Sequence, residues 1–397
     1  MRYPKNPSCP ETKTSIGLGA AFATTHANKE IAAILTLNMP AVLPRAPFLT
    51  SHFFLSTMIE MKLQQLFLIL VCATLSVASF ADGAKYKPAK GTFEVTTVRI
   101  DWQDKKRDRE VPVKIYYPKD AKGPSPVIIF SHGLGGSRDG YVYLGEEWAS
   151  HGYVSVHVQH HGSDTAVLRA ATTGGLQDAL KPVNASNRVV DIYFAIAQLE
   201  EMNKEPGPLQ GKLDLQHIGI AGHSYGAWTT LVVGGEEVIR ADGMNYRGSV
   251  KDSRIRALIP MSAPVPTKLH LDEAFSSVNL PCFHMTGTLD DSPIADTKAA
   301  DRRIPYDHMT GKVSDEYLLT FNGGDHMVFS GRLSQRSSRA EHDHIFQTYI
   351  KEGSDAFWDA YLKDNKAAKA WLSGGRFKKD LGSEGTFEEK LAPATKN

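Results

Sequence analysis

Hydrophobic residues along this chain fall into two recurring patterns: short continuous apolar runs, and stretches with apolar positions three and four apart. The two alternate from about residue 110 onward. Val127-Ile128-Ile129-Phe130 and Tyr153-Val154-Ser155-Val156-His157-Val158 are runs of the first kind, typical of strands buried on both faces. The stretch 140–151 between them is long enough for a crossover helix. Val189, Ile192, Tyr193, Ile196 and Leu199 then recur at helical spacing. Further strands are expected at 217–221, 255–261, 282–286 and 317–321, with a closing helix at about 341–362. Ahead of them, 92–102 and 111–117 alternate like a hairpin, joined through the charged stretch 104–110. The sum predicts an α/β fold, a mostly parallel, doubly wound sheet of about eight strands with helices on both faces. Residues 162–185 fit neither strand nor long helix well and are expected to form a flap over a site.

The N-terminal part reads differently. Met61-Lys62, the run Leu66-Phe67-Leu68-Ile69-Leu70-Val71 and the ending Ser79-Phe80-Ala81 describe a secretory signal peptide over 61–81, cleaved after Ala81. A leader works from the N-terminus, so 1–60 is read as a non-native extension, with translation starting at Met58 or Met61. Residues 82–397 are then a single domain, since no internal repeat or linker divides them. The apolar run is shorter than the roughly 20 residues a spanning helix needs. Cys72 follows Val71 rather than a small residue, which argues against lipoprotein attachment. The expectation is therefore an exported protein, periplasmic or extracellular, with no stable membrane span after leader removal.

Charge adds little to this picture. With 45 Lys and Arg against 44 Asp and Glu, nothing suggests nucleic acid or an anionic membrane as a partner. Of the 3 cysteines only Cys282 lies beyond the leader, so no internal disulfide is expected there. In its apolar run it reads as a small buried core residue.

The candidate chemistry centres on Gly222-His223-Ser224-Tyr225-Gly226, placed where a predicted strand gives way to a predicted helix. The tight turn of a nucleophile elbow needs small residues on either side of the serine, which makes Ser224 the candidate nucleophile. In such a sheet functional groups gather beyond the carboxyl ends of strands. Asp290 follows the strand ending at Thr286 and is the candidate acid, with Asp291 and Asp296 as competitors. His326 follows the last expected strand and two glycines and is the candidate general base, with His342 and His344 as rivals. The order Ser, Asp, His is the one expected of this triad class. Phe130-Ser131-His132-Gly133-Leu134-Gly135-Gly136 ends a parallel strand in a glycine-rich turn. The backbone N–H groups of Leu134 and Tyr225 are thus the expected oxyanion donors. His132 reads as a hydrogen-bonding support.

In these motifs, together with Ala149-Ser150-His151-Gly152-Tyr153, His161-Gly162-Ser163-Asp164 and Gly287-Thr288-Leu289-Asp290, the chain resembles the α/β-hydrolase family. Within it the likeness is to the branch of platelet-activating-factor acetylhydrolases and dienelactone-hydrolase-like proteins. The resemblance implies Ser224, Asp290 and His326 as triad and Leu134 and Tyr225 as oxyanion donors. One departure is that dienelactone hydrolases carry cysteine at the elbow, and serine here favours ordinary carboxylic esters.

The expectation is thus a secreted serine esterase working through an acyl-enzyme on short-acyl, small-molecule or lipid esters. No cofactor and no metal are called for. His157-Val158-Gln159-His160-His161 with Asp164, and Glu341-His342-Asp343-His344, match no zinc motif. A polyester or cutinase-like hydrolase shares the machinery but needs an open aromatic groove, for which Tyr141, Tyr143, Tyr225 and Trp228 are the candidates. From another class, a catalytically silent hydrolase-fold binding protein is the alternative.

Overall fold

The computed structural model describes residues 86–170, 174–239, 245–246, 252–265, 268–331 and 337–393. The expected leader at 61–81 and the extension before it lie outside these residues. Among the described residues no helix is long and apolar enough to cross a membrane.

Nine strands form one sheet. In chain order they are β1 (Val95–Asp104), β2 (Arg109–Pro118), β3 (Ser125–Ser131), β4 (Val154–Val158), β5 (Leu213–His223), β6 (Ile255–Met261), β7 (Cys282–Leu289), β8 (Glu316–Asp325) and β9 (Gly385–Lys390). Their spatial order is β1-β2-β4-β3-β5-β6-β7-β8-β9. From β4 to β8 all neighbours are parallel, while β1, β2 and β9 pair antiparallel at the two edges. The helices that matter for the site are α1 (Val142–Ser150), α2 (Thr165–Arg169), α3 (Gly175–Ala179), α4 (Pro182–Lys204), α5 (Tyr225–Gly234) and α6 (Ser337–Leu362).

Strand periodicity divides the apolar residues between two cores. Val127 and Ile129 join Ile192, Ile196, Leu199 and Leu231 of α4 and α5 on one face. Ile128 and Phe130 turn the other way, onto Leu144 and Trp148 of α1 and Phe357 and Trp358 of α6. The continuous apolar run follows directly, because side chains on both faces are covered by helices. This is the α/β-hydrolase architecture, with nine strands where about eight were expected.

The differences have local causes. The β1–β2 turn is shorter than the charged stretch suggested, because Asp104 pairs with Arg109 and Gln103 with Glu110 across the ladder. Strand β5 starts at Leu213 rather than 217, since Leu213 and Leu215 also enter the core. Strand β8 continues to Asp325 through Gly323-Gly324, with its register shifted after Phe321. The added edge strand β9 carries the sequence GTFEEK, in which Phe387 alone is buried. Residues 162–185 hold α2, α3 and the first turn of α4, apart from 171–173, which lie outside the described residues.

Candidate active site

Ser224 sits between β5 and α5 with φ 56° and ψ −119°, a backbone conformation that a side chain rarely adopts. The flanking glycines are required by contact. A Cβ on Gly226 would strike the Ser131 carbonyl oxygen of β3, and one on Gly222 would strike the Gly226 carbonyl oxygen. The strained turn presents the Ser224 hydroxyl above the carboxyl end of the sheet.

His326, just past β8, reaches that hydroxyl. Its Nε2 lies 2.9 Å from Ser224 Oγ and its Nδ1 lies 2.8 Å from Asp290 Oδ1. Asp290, just past β7, is fully buried. Its other oxygen accepts from Ser262 Oγ at 2.5 Å and Thr286 Oγ1 at 2.8 Å. The carboxylate is therefore held on both oxygens and can accept the Nδ1 proton in one orientation only. With Nδ1 protonated, Nε2 is left as the acceptor for the serine proton, the arrangement a general base needs.

The rival residues lie elsewhere in their bonding. Asp291 accepts from the Ala299 backbone N–H at the surface, Asp296 is exposed, and His342 faces Glu384. Leu134 lines the same cavity as Ser224. Tyr225 opens α5, where helix geometry leaves the first N–H groups without an intrahelical acceptor.

Three buried side chains hold these loops together: Tyr141, which the sequence offers only as a groove aromatic, and Arg302 and Arg188, which no motif marks. Tyr141 accepts the Gly133 N–H at 3.2 Å and donates to His223 Nδ1 at 2.8 Å, and His223 Nε2 donates to the His326 carbonyl at 2.8 Å. One phenol thus connects the glycine-rich turn, the elbow and the histidine loop. Burial keeps His223 well below the usual imidazole range, consistent with the neutral ring this chain of bonds requires.

Arg302 supports the acid from behind. Its guanidinium donates to the Asp290 and Ser262 carbonyls at 3.1 and 3.0 Å and stands 3.4 Å from Asp290 Oδ1. Its Nη2 is also 3.2 Å from His326 Nδ1. Both of those nitrogens are donors when Nδ1 carries the proton for Asp290, so that approach is electrostatic rather than a hydrogen bond.

Arg188 of α4, fully buried, ties the turn after β3 to α5. It donates to Thr229 Oγ1 at 3.0 Å, Ser163 Oγ at 2.8 Å, Ser131 Oγ at 3.0 Å and the His132 carbonyl, and its guanidinium lies 4.5 Å from the Tyr225 ring centroid. Burial lowers its pKa to about 10, still charged at neutral pH. Nearby Asp191 is bound by Arg109, Arg107 and His160. His132 has the supporting part expected of it, with Nδ1 donating to Gly133 O at 2.6 Å and Nε2 accepting the His160 N–H at 3.1 Å. The neighbouring His157 and His160 turn to different partners, Gly140 O and Asp191.

Above Ser224 opens a cavity of about 770 Å³. Val142, Leu168, Ile294 and Met327 are exposed along its wall, and Asp139 and Glu146 give it an acidic side. Tyr141 and Tyr143 line it; Trp228 is packed in the core. A second hollow of about 500 Å³, around Ser125, Pro126 and Asp214, lies at the opposite ends of the strands and away from this chemistry.

Residues 105–206 match the family model described as platelet-activating factor acetylhydrolase, isoform II, a stretch from the end of β1 to just past α4 that stops short of Ser224. The chain is 29% identical over 302 residues to the platelet-activating factor acetylhydrolase of Cavia porcellus, a similarity that takes in 66% of this chain and 64% of the relative. The chain thus spans a little under two thirds of the length of that relative.

Proposed function

We infer that this chain, an α/β-hydrolase fold similar to the platelet-activating factor acetylhydrolases, is a serine carboxylic-ester hydrolase. The observation that carries the reading is the continuous chain Ser224 Oγ, His326 Nε2, His326 Nδ1, Asp290 Oδ1, with contacts of 2.9 and 2.8 Å. Ser224 attacks the ester carbonyl while His326 takes its proton. The resulting tetrahedral oxyanion is received by the backbone N–H groups of Leu134 and Tyr225. His326 then protonates the departing alcohol, leaving an acyl-enzyme at Ser224. Water, deprotonated by the same ring, releases the acid and restores the serine. The serine proton leaves with the alcohol and a proton from water replaces it, so the cycle closes without a cofactor.

The substrate reading is a short-acyl ester with an apolar remainder. The apolar wall of the cavity suits that remainder, and the acyl preference rests on the likeness to a relative named as an acetylhydrolase. Export through the leader at 61–81 belongs to the same proposal and rests on its sequence pattern. Hydrolysis of p-nitrophenyl acetate, butyrate, octanoate and palmitate by residues 82–397 tests the acyl preference. Turnover is expected to be highest on acetate and to fall by about tenfold or more by octanoate, a difference of about 1.4 kcal/mol or more in barrier. A preference for palmitate would contradict it, and turnover of a solid polyester film would favour the cutinase-like reading instead.

A further inference from the structure

At the opposite ends of the strands from Ser224, the first residues of β7 and β8 bring together three side chains that the ester chemistry does not use. Cys282 and Glu316 are register partners in the parallel ladder, and His284 follows Cys282 by one strand period, so all three project from one face. Their relative exposures are 0%, 2% and 1%. One donor atom from each lies within 4.8 Å of the other two, and His284 Nε2 is 3.8 Å from Glu316 Oε2.

The cluster is unsatisfied as it stands. Both ring nitrogens of His284 and Oε2 of Glu316 are buried without a hydrogen-bond partner, while Glu316 Oε1 accepts from Ser314 Oγ at 2.9 Å. Buried polar atoms in folded proteins nearly always have partners, so His284 Nε2 and Glu316 Oε2, both orphaned 3.8 Å apart beside a buried thiol, call for an explanation. We propose that Cys282, His284 and Glu316 form a structural zinc site that pins β7 to β8.

The donor set fits. Thiolate, imidazole and carboxylate are the three zinc ligand types, and tetrahedral bonds of about 2.0–2.3 Å place ligand atoms about 3.3–3.8 Å apart. A contraction of about 1 Å from the observed spread would close the site. The three side chains leave a fourth position to water. Lys390, the register partner of Glu316 on β9, is held by the carbonyls of Tyr306, Asp307 and Met309 and so is not spent on the carboxylate.

The test is independent of the reading of Ser224. The full chain is refolded with excess zinc, passed through gel filtration and assayed for metal. About one zinc per chain is expected, falling below about a tenth in His284→Asn and Glu316→Gln. Refolding with cobalt should give a thiolate-to-metal band in the near ultraviolet that Cys282→Ser removes. Because any of these variants could fail to fold, the wild-type protein decides alone: less than about a tenth of an equivalent of zinc in a folded sample overturns the proposal. Full metal content in a folded His284→Asn protein overturns it equally. Ester hydrolysis should be unaffected by loading.

Discussion

Replacing Asp290 by asparagine is expected to lower kcat on a p-nitrophenyl ester by about four orders of magnitude, with KM little changed. The size of the effect follows from orientation. Ser262 and Thr286 both donate to Oδ2, so the asparagine side chain will keep its oxygen on that side and turn its NH2 toward His326. His326 Nδ1 must then become an acceptor, which moves the ring proton to Nε2. A ring protonated there cannot take the proton of Ser224. Arg302 compounds the effect, because its charge beside position 290 no longer faces a carboxylate. Steady-state kinetics on the purified variant, with circular dichroism to establish folding, checks this. A loss of less than tenfold in a folded variant would remove Asp290 from the assignment.

Arg188→Met is expected to destabilise the fold by about 3 kcal/mol, the second large effect. Methionine fills much of the space and relieves the cost of burying a guanidinium, which limits the loss. The hydroxyls of Ser163 and Thr229 keep bonds as donors to the His160 and Tyr225 carbonyls, but the His132 carbonyl loses its side-chain donor in a buried turn. The positive charge near Asp191 is lost as well. Urea unfolding followed by tryptophan fluorescence measures the difference. A change within about 0.5 kcal/mol would mean that the arginine is not holding the turn after β3 to α5.

Such residues show where reading the chain by pattern stops. Ser224, Asp290 and His326 are legible because each follows a strand that an apolar run marks, and a parallel sheet gathers such ends on one edge. Strand β9 is not legible, because one buried phenylalanine among threonine, glutamate and lysine carries no periodicity. Arg302 joins the site from a sequence-distant loop that no local spacing announces, and Tyr141 is legible as an aromatic near the site but not as the hydrogen-bonding link between Gly133 and His223. Arg188 could have been found. It stands four residues before Ile192, in line with Ile196 and Leu199 on the buried stripe of α4, and a charged residue on such a stripe needs a buried partner. The cluster of Cys282, His284 and Glu316 needed the β7–β8 register, which the sequence does not supply.

The central claim is that Ser224 is the nucleophile of an acyl-enzyme. Its most direct test is labelling of the folded protein with a fluorophosphonate, followed by peptide mass spectrometry. One adduct per chain is expected on Ser224, absent from Ser224→Ala and strongly slowed in His326→Ala. A folded protein that takes no label, or that takes it equally in the Ser224→Ala variant, would contradict the mechanism and leave a hydrolase-fold binding protein as the reading to pursue.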